Sequence, residues 1–299
     1  MAEFKPSVGF IGLGHMGQHM AGQILAGGHT LNVYNRTRSK ADTLVSEGAV
    51  WQDSPGVVAS VSDVVITIVG YPADVEAIYL GTGGIVESAR SGTVLIDMTT
   101  SRPALAERIA EAASARGLSA LDAPVSGGDS GAREAKLAIM VGGTAEAFER
   151  VKPLLAKMGT NVALMGPAGA GQHTKMANQL AIASTMLAVA ESMTYAKRSG
   201  LDPAQLLSVL GTGAASSHLL NSVGLRMVNE DFAPGFFVSL FVKDMTIALE
   251  EADRLNLDLP GLALARSLYQ KLIDDGFGAE GTEALYRVYN ALHGIRRCL

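Results

Sequence analysis

The sequence predicts a mixed α/β protein: an N-terminal, doubly wound, mainly parallel sheet followed by an all-α C-terminal domain, with a long helix joining the two. Three observations carry this prediction. In the first half, short β-branched runs alternate with Ala-, Glu-, Arg- and Lys-rich stretches, the pattern of successive βαβ units. The first of these runs leads straight into a glycine-rich turn that opens a helix. After Gly166-Pro167-Ala168-Gly169-Ala170-Gly171 the alternation stops and helical periodicity takes over, which places the domains at 1–166 and 167–299.

Taken in order, the candidate strands are Val8–Ile11, Thr30–Tyr34, Val64–Val69, Val94–Asp97 and Leu118–Asp122. Each is a short apolar run bounded by turn-forming residues, as strands covered on both faces should be. Two further runs, Ala138–Val141 and Asn161–Met165, add strands at one edge with no readable direction. Beyond the boundary, a helix from Gln172 to Ser199 would be about 40 Å long at 1.5 Å per residue. Its middle is apolar on nearly every side, so it should be surrounded by protein. Breaks at Gly200, Asp202-Pro203, Gly211-Thr212-Gly213, Pro234-Gly235, Pro260-Gly261 and Gly276-Phe277-Gly278 divide the rest into helices of ordinary length.

Composition narrows the function. With 48% hydrophobic residues the 299-residue chain has ample material for a core, which excludes disorder. The net charge of -5, without any dense Lys/Arg block, argues against nucleic-acid and anionic-membrane partners and leaves small molecules. Met176–Ala190, the longest uncharged helical stretch, is shorter than the roughly 20 residues a membrane span needs. The single cysteine, Cys298, rules out intrachain disulfides and multi-cysteine metal sites and suits a reducing cytoplasm. The start, Met1–Val8, carries Glu3 and Lys5 and lacks the apolar core of a secretory signal. No metal is implied.

The turn after the first strand reads Gly12-Leu13-Gly14-His15-Met16-Gly17. Between a strand and a helix, this spacing is that of a Rossmann-type dinucleotide site. The glycines permit the tight turn and close approach of backbone to pyrophosphate, and the helix start supplies N–H donors. At the end of the second strand, where an acid would hold the ribose of NAD, the chain has Asn35-Arg36-Thr37. Arg36 suits a 2′-phosphate, with Asn35 and Thr37 as neutral donors, so NADP(H) is expected over NAD(H).

The segment Asp122–Gly131 follows a strand and has no bulky side chain after Val125. Its Ser126 hydroxyl and the N–H groups of Gly127 and Gly128 suit a carboxylate. Lys175 lies near the start of the long helix, two residues after His173, with Asn178 and Gln179 at i+3 and i+4 on its own face. A cation there opposes the helix dipole, and partial burial would bring its proton affinity toward the range useful for protonating an alkoxide. Read alone, the loop is at least as readily a plain turn, and a lysine near a helix start is usually a solvated surface residue.

These motifs, together with Gly166–Gln179 and Lys243-Asp244, occur in the order and spacing of the β-hydroxyacid dehydrogenase family, which the chain resembles from end to end. That family includes 3-hydroxyisobutyrate dehydrogenase, tartronate semialdehyde reductase and glyoxylate/succinic semialdehyde reductases. The resemblance implies a Rossmann domain, an all-helical domain and an active site in the cleft between them. It implies reversible hydride transfer between NADP(H) and a small carboxylate-bearing hydroxyacid or aldehyde. Lys175 would then protonate the aldehyde oxygen, Ser126, Gly127 and Gly128 would bind the carboxylate, and Asn178 or Gln179 would be the amide partner of the lysine. Lys243 and Thr100 would contact the cofactor. Tyr71-Pro72, where the family commonly has Leu-Pro, would meet the nicotinamide ribose. Relatives of this kind are homodimers or homotetramers. Two alternatives share the architecture: an imine reductase, which usually lacks the lysine, and a non-catalytic NADPH-binding sensor or scaffold.

Overall fold

The computed structural model describes residues 5–292. Glu3 and Cys298, on which part of the leader and redox expectations rest, lie outside them. Among the described residues nine strands form one sheet: β1 (Val8–Ile11), β2 (Leu31–Tyr34), β3 (Val50–Trp51), β4 (Val64–Thr67), β5 (Val94–Asp97), β6 (Ser119–Asp122), β7 (Val125–Ser126), β8 (Leu137–Gly142) and β9 (Gly159–Gly166). The order β3-β2-β1-β4-β5-β6 is parallel throughout. Beyond it, β8 runs antiparallel to β6 and β7, and β9 pairs parallel with β8. The edge runs thus do add strands, and pairing supplies the direction their composition lacked. Two short strands, β3 and β7, escape the sequence reading because two residues carry no period. The order reverses between β1 and β4, so the crevice outside their carboxyl ends is where a ligand of a doubly wound sheet binds.

Each central strand is buried along its length because helices cover both faces of the sheet. Alternation sorts the side chains. Phe10, Ile66 and Ile96 point into one cluster with Met20, Ile24 and Val33, while Ile11, Val65 and Leu95 point into the other with Val58, Val75, Tyr79 and Ile109. The helices of this region are α1 (His15–Ala26), α2 (Asp42–Ser46), α3 (Pro55–Ser60), α4 (Pro72–Leu80), α5 (Ile85–Ser88), α6 (Pro103–Ser114), α7 (Gly128–Arg133) and α8 (Ala145–Leu155). Several start on legible signals: Ser54 and Thr144 cap α3 and α8, and proline opens α3, α4 and α6.

The chain divides into two compact units at Lys175/Met176, inside the long helix α9 (Ala170–Arg198). The second unit continues with α10 (Pro203–Leu210), α11 (His218–Val228), α12 (Val238–Arg254), α13 (Pro260–Asp274) and α14 (Leu285–Leu292). Asp202 and Ser217 cap α10 and α11. Its core gathers Met186, Met193, Phe241, Met245, Tyr269 and Leu272, with Phe241 edge-on to Tyr269 at 5.1 Å. Only part of α9 is covered within the chain: Ala181, Ser184 and Ala188 are exposed, against the expectation of burial on every side. That face owes its apolar reading to small residues, whose exposure costs little. Among the described residues no helix is long and apolar enough to cross a membrane.

Candidate active site

The glycine-rich turn separates its glycines by task. A Cβ on Gly12 would lie 2.0 Å from the Ile68 carbonyl oxygen, and one on Gly17 would lie 2.0 Å from the Gly12 oxygen. Gly12 also has φ +100°, so both positions are required by backbone packing. Gly14 differs: nothing lies within 4 Å of its would-be Cβ, and it begins α1 without a side-chain cap or an acid in the first turn. An open, uncapped helix start is an anion site, and these residues fit the pyrophosphate of a dinucleotide. Leu13 contributes only backbone, since its side chain is in the core. Met16 packs against the same core, and His15 is exposed.

After β2, the Asn35 side chain accepts from the Leu13 amide at 2.9 Å and donates to the Thr37 carbonyl at 2.9 Å. Both ends of this amide bind backbone, so Asn35 ties the two loops together. Thr37 is exposed. Arg36 is 90% exposed at its side chain, with Nη1 3.9 Å from Asp74 Oδ1. This acid comes from the first turn of α4, a proximity the local sequence does not reveal. Arg38 stacks over Trp51, 4.4 Å from the ring centroid.

The loops after β4 and β5 are joined by buried polar groups. Asp97 accepts from the Thr67 hydroxyl at 2.8 Å and the Thr99 amide at 3.1 Å, and Tyr79 meets Thr67 at 3.0 Å. The Thr99 hydroxyl accepts from the Val69 amide at 2.9 Å. Burial pushes the Asp97 carboxyl up to about 6, against the hydrogen bonds of Thr99 and Thr67. It also pushes the Tyr79 phenol well above its usual range. Thr100 is partly exposed at the lip of this loop, ahead of Arg102, which occupies the cap of α6. Tyr71 is 48% exposed and caps α4, where its amide donates to Asp74; Pro72 is buried behind it.

Lys175 and the serine-glycine loop meet at the end of β6. The Lys175 side chain is only 7% exposed, and Nζ donates to the Val125 carbonyl at 2.8 Å. Lysine and Ser126-Gly127-Gly128 are 50 or so residues apart in sequence, yet this bond joins Lys175 to the residue before the serine. Gly127 and Gly128 have φ +133° and +62°, conformations that favour glycine, where Gly127 caps α7 and Gly128 begins it. His19 of α1 lies 3.5 Å from Asp129, and Gln23 donates to the Arg133 carbonyl at 2.8 Å, so the first turns of the serine loop rest on the dinucleotide helix.

Two residues the sequence reading did not assign hold α9 in place. Asp122, 3% exposed, accepts from the amides of Gly169 and Gln172, each at 2.8 Å. Burial raises its carboxyl, and these amides oppose the rise. Gln172 reaches the loop after β5 through both ends of its side chain. The helix approaches this closely because Gly171 lacks a Cβ, which would lie 2.4 Å from the Met140 oxygen.

Within the second unit, Gln179 is 1% exposed and donates to Asp244 at 2.6 Å, while its oxygen accepts from the Asn178 amide at 2.8 Å. Because a carboxylate only accepts, this orientation of the amide is the one the network permits. Lys243 Nζ pairs with the other Asp244 oxygen at 3.1 Å and is 11% exposed, so it is not a solvated surface lysine. Asn178 is the half-buried member of the chain. Asp244 was visible in the sequence only as the neighbour of Lys243.

Known proteins share both units. Residues 7–166 match the model of the NAD binding domain of 6-phosphogluconate dehydrogenase, and 169–289 match the model described as NAD-binding of NADP-dependent 3-hydroxyisobutyrate dehydrogenase. The uncharacterized oxidoreductase YkwC of Bacillus subtilis is 53% identical over 95% of this chain and 99% of its own. The 2-hydroxy-3-oxopropionate reductase of Escherichia coli is 39% identical over 90% of this chain and 92% of its own. Among solved structures, 3-hydroxyisobutyrate dehydrogenase of Mycobacterium tuberculosis superposes with a TM-score of 0.86 at 28% identity, covering 97% of this chain and 100% of that one. Psf3 in complex with NADP+ and 2-OPP superposes with 0.86 at 26%, covering 94% and 99%. An imine reductase from Pseudomonas is more distant, at 0.63 and 21% over 95% and 99%, and shares the fold alone. Motifs, fold and relatives agree, and the chain belongs to the 3-hydroxyisobutyrate dehydrogenase family of β-hydroxyacid oxidoreductases.

Proposed function

We propose that the protein interconverts a small β-hydroxyacid and its semialdehyde, of the 2-hydroxy-3-oxopropionate, 3-hydroxyisobutyrate or succinic semialdehyde type, with NADP(H) preferred over NAD(H). The observation that carries this reading is the 2.8 Å bond from Lys175 Nζ to the Val125 carbonyl, which places an ammonium beside Ser126-Gly127-Gly128. When bound, the nicotinamide supplies or accepts the hydride. In the reductive direction Lys175 donates a proton to the carbonyl oxygen, and in the oxidative direction it takes the proton back from the hydroxyl. Ser126 and the Gly127 and Gly128 amides hold the substrate carboxylate, which fixes the carbonyl relative to the lysine. Of the two amides, Asn178 orients the substrate oxygen and Gln179, engaged by Asp244, steadies it.

The cofactor preference rests on the exposed Arg36 and the lack of an acid at the end of β2, and the NADP+-bound structural neighbour supports it. Gly12, Gly14 and Gly17 shape the cradle, Leu13 and His15 line it through backbone, and Tyr71, Pro72, Thr100 and Lys243 serve the nicotinamide end. We further read the protein as a cytoplasmic homodimer or homotetramer, on the single cysteine and on the exposed face of α9. An imine reductase would leave Lys175 without a task.

A spectrophotometric panel of glyoxylate, tartronate semialdehyde, succinic semialdehyde, 3-hydroxyisobutyrate and a cyclic imine, each with both cofactors, tests the reading. Lys175→Ala should lower kcat by about 10²–10⁴ while leaving the cofactor dissociation constant nearly unchanged. Retained turnover refutes the role of the lysine, activity on the imine alone favours the reductase, and cofactor binding with no turnover favours the sensor.

A further inference from the structure

We propose that Gln172 is a positioning residue that locks the Thr99-Thr100-Ser101 loop to the first turn of α9, and thereby fixes the cofactor loop relative to the Lys175 ammonium. The inference rests on the proposed oxidoreductase reading, but the clamp is a property of the N-terminal unit by itself. Gln172 is fully buried. Its Nε2 donates to the Thr99 carbonyl at 2.8 Å, and its Oε1 accepts from the Ser101 amide at 2.9 Å, so one side chain straddles Thr100. A carbonyl only accepts and an amide N–H only donates, which fixes the orientation of the side chain.

The loop is held from two sides. From the sheet, Thr99 receives the Val69 amide and gives its own amide to Asp97. From α9, Gln172 takes the flanking backbone groups, while its own backbone N–H is held by Asp122 at 2.8 Å. Lys175 lies three residues further along α9 on the same face, with its ammonium on Val125. Three segments, 99–101, 122–126 and 169–175, are therefore joined by buried polar contacts whose failure would leave unpaired backbone groups. Asparagine is one methylene shorter, methionine has no donor and only a weakly accepting sulfur, and glutamate has no donor when ionised. Only glutamine makes both bonds at every pH. Misplacing reacting groups by about 1 Å costs about 10²-fold in rate, so the clamp bears on turnover even though Gln172 touches neither substrate nor cofactor.

Two near-isosteric variants test the proposal in the full-length protein. Gln172→Glu accepts from Ser101 but, when ionised, turns a lone pair toward the Thr99 carbonyl. Relative to wild type at the same pH, its kcat should be about 10–100-fold lower at alkaline pH and recover as pH is lowered and the carboxyl regains a donor, a new pH limb in the ratio; taking the ratio cancels the ionisations both proteins share, Asp97 and Asp122 beside the loop among them. Gln172→Met should lose kcat at all pH values with little change in KM, and the primary isotope effect with deuterated cofactor should rise as hydride transfer becomes limiting. Independently of activity, amide hydrogen exchange in a peptide spanning 99–102 should accelerate about tenfold in Gln172→Met, which loses the acceptor for the Ser101 amide, and in Gln172→Glu at alkaline pH, where repulsion by the Thr99 carbonyl loosens the loop, with β1 and α1 unchanged.

Unchanged exchange overturns the clamp. Faster exchange with wild-type kcat and no new pH limb overturns its positioning role. If Gln172→Met does not fold, the pH limb and exchange of Gln172→Glu decide alone. If the wild-type protein turns over no substrate, the proposed function fails and exchange still decides whether the clamp exists.

Discussion

Asp97 offers a sharp test of how burial governs the loop network. Its carboxyl closes β5, accepts from Thr67 and Thr99, and is pushed by burial from the ordinary 3.8 up to about 6, with the charge of Asp122 adding to the rise. Between those two values the folded protein holds a proton that the unfolded chain has released. Stability contributed by the neutral acid is therefore complete below about pH 4, falls as pH rises to about 6, and stays lost above it. At about 1.4 kcal/mol per tenfold change in proton affinity, the cost at neutral pH is about 3 kcal/mol. Asp97→Asn keeps an oxygen for Thr67 and Thr99 and removes the ionisation. The variant should be more stable than wild type at about pH 7 by up to about 3 kcal/mol, and no more stable at about pH 4. Urea unfolding across this range, followed by the fluorescence of Trp51, the single tryptophan and a member of the same unit, measures the difference. A difference between variant and wild type that does not change with pH would refute the reasoning.

Other predictions concern the dinucleotide side. Gly12→Ala should destabilise the N-terminal unit by at least about 2 kcal/mol, since φ is +100° and the new Cβ meets the Ile68 carbonyl. Gly14→Ala should change stability by less than about 1 kcal/mol yet weaken cofactor binding at least about tenfold, because the methyl fills open space over the helix start. Fluorescence titration alongside thermal unfolding separates the two; equal effects on stability would undo the division of labour. Arg36→Asp should reverse the preference for NADPH in kcat/KM, and a wild-type preference for NADH would sink that assignment. Asp74→Asn, which keeps an acceptor for the Tyr71 amide but removes the charge near Arg36, should raise the NADPH preference about two- to fivefold.

The central strands were legible because burial on both faces demands mainly apolar residues: β1, β4 and β5 are apolar up to a terminal Thr67 or Asp97, and β2 and β6 keep an apolar core around Asn32, Ser119 and Asp122. The glycine turn was legible for a related reason: close backbone packing leaves a residue-type signature at Gly12 and Gly17. The backbone partners of Asn35, the Leu13 amide and the Thr37 carbonyl, were not legible, since donor chemistry alone does not tell ligand from backbone. Asp122 and Gln172 went unassigned because their partners lie 47 to 73 residues away in the chain. A carboxylate that caps a distant helix has no local pattern.

By itself the sequence determined the fold class, the order of motifs and the residue types of the chemistry, because hydrophobic period, glycine spacing and turn residues are short-range consequences of packing. Tertiary structure decided the pairings: that Lys175 meets Val125 beside Ser126, that Gln179 belongs to Asp244, that an acid from α4 lies near Arg36, and that Gln172 straddles Thr100. Each of these joins groups whose separation is set by the pairing of β2, β1, β4, β5 and β6 or by the packing of α9 and α12. A hydrogen bond is decided within a few tenths of an ångström, and such distances exist only once the chain has folded.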